Sequence, residues 1–114
     1  MTDARRAFGQ AGEDQAEAWY RARGYTVHAR NWRCREGELD LVVSRGRTLV
    51  FVEVKNRRTD RFGLPAEAIT RQKQQRIRGL AHRYLETTGA RPRALRFDVV
   101  SILAGELEVI PAAF

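Results

Sequence analysis

The chain has 114 residues, 43% hydrophobic and 31% charged, which is enough for one buried core and too little for two ordinary ones, so residues 1–114 are expected to form a single domain. No run approaches the roughly 18 consecutive apolar residues that cross a bilayer, and the opening MTDARRAFGQAGED lacks the apolar stretch of a signal peptide, so a cytoplasmic protein without membrane association is expected. A net charge of +7 favours polyanionic partners through a salt-sensitive attraction that requires no sequence reading.

From Gly12 to Arg23, Ala16, Trp19 and Tyr20 recur at helical spacing, and Gly24 follows where a left-handed cap belongs. YTVHAR then reads as a strand leading into an arginine-rich, aromatic connection, NWRCREG. Its cysteine, Cys34, is the only one in the chain, which excludes an internal disulfide and a thiolate metal cluster. His28 and His82 lack ligand-like spacing and read as structural or surface residues.

Glu38 to Val43 alternates, with Leu39, Leu41 and Val43 on one side and Glu38, Asp40 and Val42 on the other. After the turn signal SRGR, Thr48 to Lys55 forms the partner strand of a hairpin. The loop NRRTDRFGLP precedes a helical region over 66–86, in which Ile69, Lys73, Ile77, Leu80, Ala81 and Tyr84 mark one face. Thr70 stands at an N-cap position and Gly89 at the end. ALRFDVVSIL and ELEVI close the chain as two strands around Ala104-Gly105. The order is helix, three strands, helix, two strands, which predicts an α/β fold with a mixed sheet flanked by helices.

The hairpin carries an anomaly. Glu53 and Lys55 sit in the run LVFVEVK, otherwise the interior of a buried strand, and a buried carboxylate costs several kcal/mol unless something compensates it. The two share a face, about 6.7 Å of backbone apart. If the hairpin closes on Arg45-Gly46, Asp40 lies opposite Phe51 and Glu38 opposite Glu53. Asp40 and Glu53 are then diagonal neighbours roughly 7 to 8 Å apart; an odd turn or a bulge changes that parity.

Two carboxylates offer the oxygen ligands that Mg²⁺ or Mn²⁺ accepts. An adjacent lysine can orient water, assist its deprotonation or stabilise charge on a phosphate. Asp40, Glu53 and Lys55 thus match phosphodiester hydrolysis in chemistry and spacing. An exposed strand end with an incidental Glu-Lys pair, contributing about 0 to 1 kcal/mol, fits the same three residues. Of the 21 Lys and Arg only Lys55 and Lys73 are lysine, in a chain that otherwise writes its cations as arginine.

The stretches GEDQAEAWYRARGY, RNWRCREGELDLV, LVFVEVKNR and RFDVVSI, in this order, resemble the YraN-like family. These small bacterial proteins belong to the restriction-endonuclease-like, PD-(D/E)xK superfamily and are related to archaeal Holliday junction resolvases. The resemblance spans Gly12 to Ile102. It implies an αβββαβ core, here followed by a C-terminal strand, and a metal-dependent nuclease signature. Carried over residue by residue, Asp40 and Glu53 are the metal-binding acids and Lys55 the catalytic lysine; Leu39-Asp40 stands where the signature begins with Pro-Asp. In the resolvase relatives a glutamate near the start of helix one joins the site, and Glu13 occupies that place. The implied function is a Mg²⁺- or Mn²⁺-dependent endonuclease acting on branched or otherwise structured DNA. The alternative is a nucleic-acid-binding module of the same fold without turnover. Related resolvases cut paired strands symmetrically, which makes a homodimer compatible with the resemblance.

Glu13 falls on the inward stripe of helix one, where a helix N-terminus also favours a carboxylate. Glu38 reads as an outer acid or a solvated strand residue. Lys73 shares a helical line with Ile69 and Ile77, its stem inward and its ammonium at a wetter rim. Arg57, Arg58 and Arg61 follow the strand of Lys55, and Arg71 and Arg76 lie with Lys73 on the next helix. Cations there are placed to clamp backbone phosphates, although a solvated basic face accounts for them equally. Arg30, Arg33 and Arg35 surround Trp32, itself expected in the core, and Asp98 reads as an ion-pair partner for Arg96 on a core strand.

Overall fold

The computed structural model describes residues 3–59 and 69–114. In chain order the elements are α1 (Asp3–Ala22), β1 (Thr26–Cys34), β2 (Gly37–Arg45), β3 (Thr48–Arg57), α2 (Arg71–Thr88), β4 (Ala94–Leu103) and β5 (Glu106–Ile110). The strands form one sheet in the order β1-β2-β3-β4-β5. β3 and β4 run parallel and the other neighbours antiparallel. A parallel pair needs a long crossover, which here contains α2. This is the expected αβββαβ restriction-endonuclease-like core with an added final strand. Among the described residues no helix is long and apolar enough to cross a membrane.

The helices cover opposite faces of the sheet. Ile77, Leu80, Ala81 and Tyr84 of α2 pack on Leu39, Val42, Leu49, Phe51 and Phe97. Ala16 and Tyr20 of α1 pack on Leu41, Val43, Val50, Val52, Val100 and Ile102. Small residues let α1 lie close to β3: a methyl group on Gly12 would stand 2.8 Å from the Asn56 Cβ. Asn56 Nδ2 in turn donates to the Phe8 carbonyl at 2.8 Å. α1 ends where Tyr25 N–H donates to the Tyr20 carbonyl and Gly24 N–H to that of Arg21, both at 3.1 Å. These are the paired bonds of a Schellman motif, and Gly24 supplies the left-handed φ of 84°. α2 starts with Thr70 Oγ1 accepting from Lys73 N–H at 3.1 Å and ends at Gly89; the expected helical residues 66–68 lie outside the described residues.

Buried Asp98 fastens α1, β4 and the turn that follows β5. It accepts from Tyr20 Oη at 2.7 Å, from Arg96 Nε and Nη2 at 2.9 Å each, and from Ala112 N–H at 3.0 Å. Burial first, and then the Asp98 charge, hold the Tyr20 phenol well above its usual pKa. Asp98 is therefore the Arg96 partner that the sequence suggested.

Three expectations are corrected. α1 begins nine residues before Gly12, at Asp3. Asn31 to Cys34 belong to β1 rather than to a connection, and Trp32 packs edge-on against Tyr84 at 5.4 Å. The third concerns the alternation of β2. Leu39 and Val42 both pack on the α2 face while Leu41 and Val43 pack on the α1 face, so the alternation breaks at Asp40. β1 breaks at the same level: Ala29 and Trp32 both lie on the α2 side, and Asn31 between them has a φ of 55°. Asn tolerates that left-handed conformation better than most residues.

Candidate active site

The hairpin between β2 and β3 closes on Gly46-Arg47, with Arg45 paired to Thr48 and the ladder running to Leu41 opposite Val52. Gly46, with φ 61°, supplies the positive dihedral required at the first central position of a type II′ turn. The register is therefore two residues from the one expected: Phe51 pairs with Val42, and Asp40 and Glu53 are the next residues beyond the last pair. At that level the Asp40 carboxylate takes over from the ladder, Oδ2 accepting from Val54 N–H at 2.9 Å.

The break in β2 turns Glu38 toward α1. One carboxylate oxygen each from Glu13, Glu38 and Asp40 lie within 4.8 Å of one another. Glu13 Oε1 accepts from Asn31 Nδ2 at 3.0 Å and stands 3.5 Å from Arg30 Nε. Arg30 also pairs with Asp14 at 2.6 Å, and Glu38 Oε2 accepts from Arg33 Nε at 2.8 Å. Glu53 continues the Phe51 side of β3 and meets α2, where Lys73 Nζ lies 3.0 Å from Glu53 Oε1.

The three acids open into a cavity of about 830 Å³. Lys55, Asn56 and Arg57 at the end of β3, Arg5, Arg6 and Gln10 of α1, and Arg33 of β1 complete its walls. Burial first, and the Glu53 charge second, push the Asp40 carboxyl up to about 7, against the pull of the Val54 N–H. Burial also lowers the Lys55 ammonium, assisted by the Lys73 charge and opposed by Glu53.

These residues fit a divalent cation. Glu13, Glu38 and Asp40 each engage other described residues through a single oxygen, leaving a second on each, and oxygen-only sets of this kind suit Mg²⁺ or Mn²⁺. Burial, foremost, and then the Glu53 charge make an ionised Asp40 costly here, and a bound cation would offset both.

Among the other residues singled out in the sequence, Arg57 lines the cavity, and the Arg58 guanidinium lies 4.1 Å from the Phe8 ring centroid. Arg71 and Arg76 are exposed on α2 and do not line the cavity. Arg61 lies outside the described residues. The sequence reading missed Arg5 and Arg6, because Gly9 and Gly12 disfavour helix by about 1 kcal/mol each and hid the first turns of α1. It also missed Asn31, whose signal was an asparagine inside an otherwise strand-like run.

The fold and the site define an α/β domain with a restriction-endonuclease-like core and a carboxylate cluster flanked by lysine. The chain belongs to Uncharacterised protein family UPF0102, the YraN-like family, which it matches over residues 12–102. It is 52% identical over 100 residues to a UPF0102 protein of Beutenbergia cavernae, covering 88% of this chain and 85% of the relative. It is 49% identical over 92 residues to one of Hahella chejuensis (81% and 74%), and 46% identical over 103 residues to one of Pelotomaculum thermopropionicum (90% and 86%).

Proposed function

We propose that the chain is a divalent-cation-dependent nuclease that hydrolyses phosphodiester bonds of DNA, with branched or structured DNA as its substrate class. The observation that carries this reading is the convergence of Glu13, Glu38 and Asp40 in a cavity whose walls also present Lys55 and several arginines. Glu13, Glu38 and Asp40 are the candidate ligands by geometry, and Glu53 is the further ligand implied by the family resemblance. When bound, the cation supplies Lewis acidity toward a phosphate oxygen and acidifies water.

The chain's own residues do the rest. Arg5, Arg6, Arg33 and Arg57 bind non-bridging phosphate oxygens and fix the backbone in the cavity. Lys55, its ammonium made easier to deprotonate by burial, exchanges a proton with water or holds charge that develops on the phosphate. Asn31 and Arg30 hold Glu13 in place.

A second reading, a DNA-binding module without turnover, draws on the Lys73–Glu53 pair, in which an ammonium already neutralises one acid of the signature. The deciding experiment is cleavage profiling on junction, flap, duplex and single-stranded DNA with Mg²⁺ or Mn²⁺, with Lys55→Ala as control. Cleavage lost in that variant supports the nuclease. Binding without cleavage by the wild type supports the module, and undiminished cleavage by the variant overturns the role of Lys55.

A further inference from the structure

A second cavity lies beside the C-terminal end of α1, away from the acidic cluster. It measures about 320 Å³, and its walls include Trp19, Arg23, Tyr25, Arg45, Arg96 and Asp98. Three arginines and one carboxylate therefore line it. Asp98 is committed to Arg96, both of whose contacting nitrogens lie 2.9 Å from it, and Arg96 Nη2 also donates to the Tyr25 hydroxyl at 2.9 Å. Among the described residues no carboxylate lies within 4.0 Å of the charged nitrogens of Arg23 or Arg45.

Those two cations are held in another way. The Arg23 guanidinium stacks 3.8 Å over the Trp19 ring and donates to the Trp19 carbonyl at 3.1 Å. The Arg45 guanidinium lies 4.9 Å over the Tyr25 ring and donates to the Arg23 carbonyl at 3.3 Å. A stacked guanidinium keeps its fork of N–H donors available at its edge, and ordering the side chain beforehand lowers the entropy lost on binding. Arg23 and Arg45 thus bring to the pocket two positive charges that no carboxylate of the described residues pairs with, and an incoming dianion supplies that counter-charge. A tetrahedral phosphate matches both the charge and the bidentate geometry.

We propose that this pocket is a second anion site that takes a phosphate group through Arg23, Arg45 and the remaining donors of Arg96. Both cavities lie along α1: Arg23, the residue after its end, is ten residues from Glu13, about 15 Å along the helix axis. At about 3.4 Å per base pair that corresponds to roughly four to five base pairs of duplex. A backbone phosphate of bound DNA is one source of the ligand, and a free nucleotide is the other. Only the backbone source rests on the nuclease reading.

The test omits divalent cations, so the result is independent of whether the acidic cavity turns substrate over. The probes are a 20-base-pair duplex and a deoxymononucleotide, titrated into wild type and into the Arg23→Ala/Arg45→Ala double variant. If the pocket holds backbone phosphate, the variant binds duplex roughly tenfold more weakly, and its slope of log affinity against log salt falls by about one to two. If it holds a free nucleotide, mononucleotide binding is lost and duplex binding is unchanged. Unchanged affinity for both probes overturns the proposal. Should the variant unfold, the Arg23 and Arg45 Nε–H resonances of the wild type decide, since neither moving with either probe overturns it equally.

Discussion

Lys73 Nζ lies 3.0 Å from Glu53 Oε1, so α2 is joined to β3 two residues before Lys55. The Lys73 charge helps to lower the Lys55 ammonium, while Glu53, now shared with Lys73, raises it. Lys73→Gln removes a repulsion and frees an attraction, and both act in the same direction. The Lys55 pKa is expected to rise in this variant while staying below its usual value, because burial persists. A pH titration of the Lys55 Cε resonance checks this, and an unmoved midpoint would refute the coupling.

Asp40 ties stability to pH in the metal-free protein. Its carboxyl titrates at about 7 when folded, against 3.8 for the unperturbed group, so between those values the native state holds a proton that the unfolded state has lost. The contribution is complete below pH 3.8 and is lost as pH rises through about 7. The full difference corresponds to at most about 4 kcal/mol. Asp40→Asn keeps an acceptor for Val54 N–H and removes the charge. Its melting temperature should exceed that of wild type by about 5 to 10 °C at pH 8 and match it at pH 4. Equal melting at pH 8 would show that Asp40 carries no such strain.

Cation binding distinguishes the acids. Mn²⁺ or Mg²⁺ at 100 times its dissociation constant is expected to stabilise the wild type by about 2.7 kcal/mol. Asp40→Asn should abolish this response, and Glu13→Gln and Glu38→Gln should each weaken the affinity at least about tenfold, the loss of one charged ligand. A response indifferent to Glu38→Gln but lost in Glu53→Gln would assign the ion to Asp40 and Glu53 instead.

Asn31 contributes both a backbone conformation and a side chain, and two substitutions separate them. Asn31→Gly accepts the φ of 55° but loses the bond to Glu13, so it should fold normally and bind cation more weakly. Asn31→Ala loses the same bond and adds about 1 to 2 kcal/mol of backbone strain. Melting curves should rank Gly above Ala, with cation affinity reduced in both; equal melting would show that the left-handed backbone is not maintained in solution.

The sequence was most readable where local chemistry decided the outcome. The β4 and β5 boundaries match ALRFDVVSIL and ELEVI, since strand propensity and the Ala104-Gly105 turn act together there. Thr70 and Gly89 cap α2 as expected. Asp40, Glu53 and Lys55 stood out because charge in an apolar run needs a reason. The hairpin register depended on which side of Gly46 the turn forms, and the residue names alone left that open. Glu38 joined the acids only because the alternation breaks at Asn31 and Asp40, a tertiary event without a distinctive spacing. The first turns of α1 form despite two glycines, with contacts to β3 helping to hold them.

Because β1 and β2 switch faces at one level, that level communicates with both helices: Glu13 reaches it from one layer, and the Lys73–Glu53 link reaches it from the other. A guest lodged there would act as a rivet through the sheet. Amide hydrogen exchange in α1 and α2 should then slow in concert on its arrival, although the two helices stand on opposite sides of the molecule.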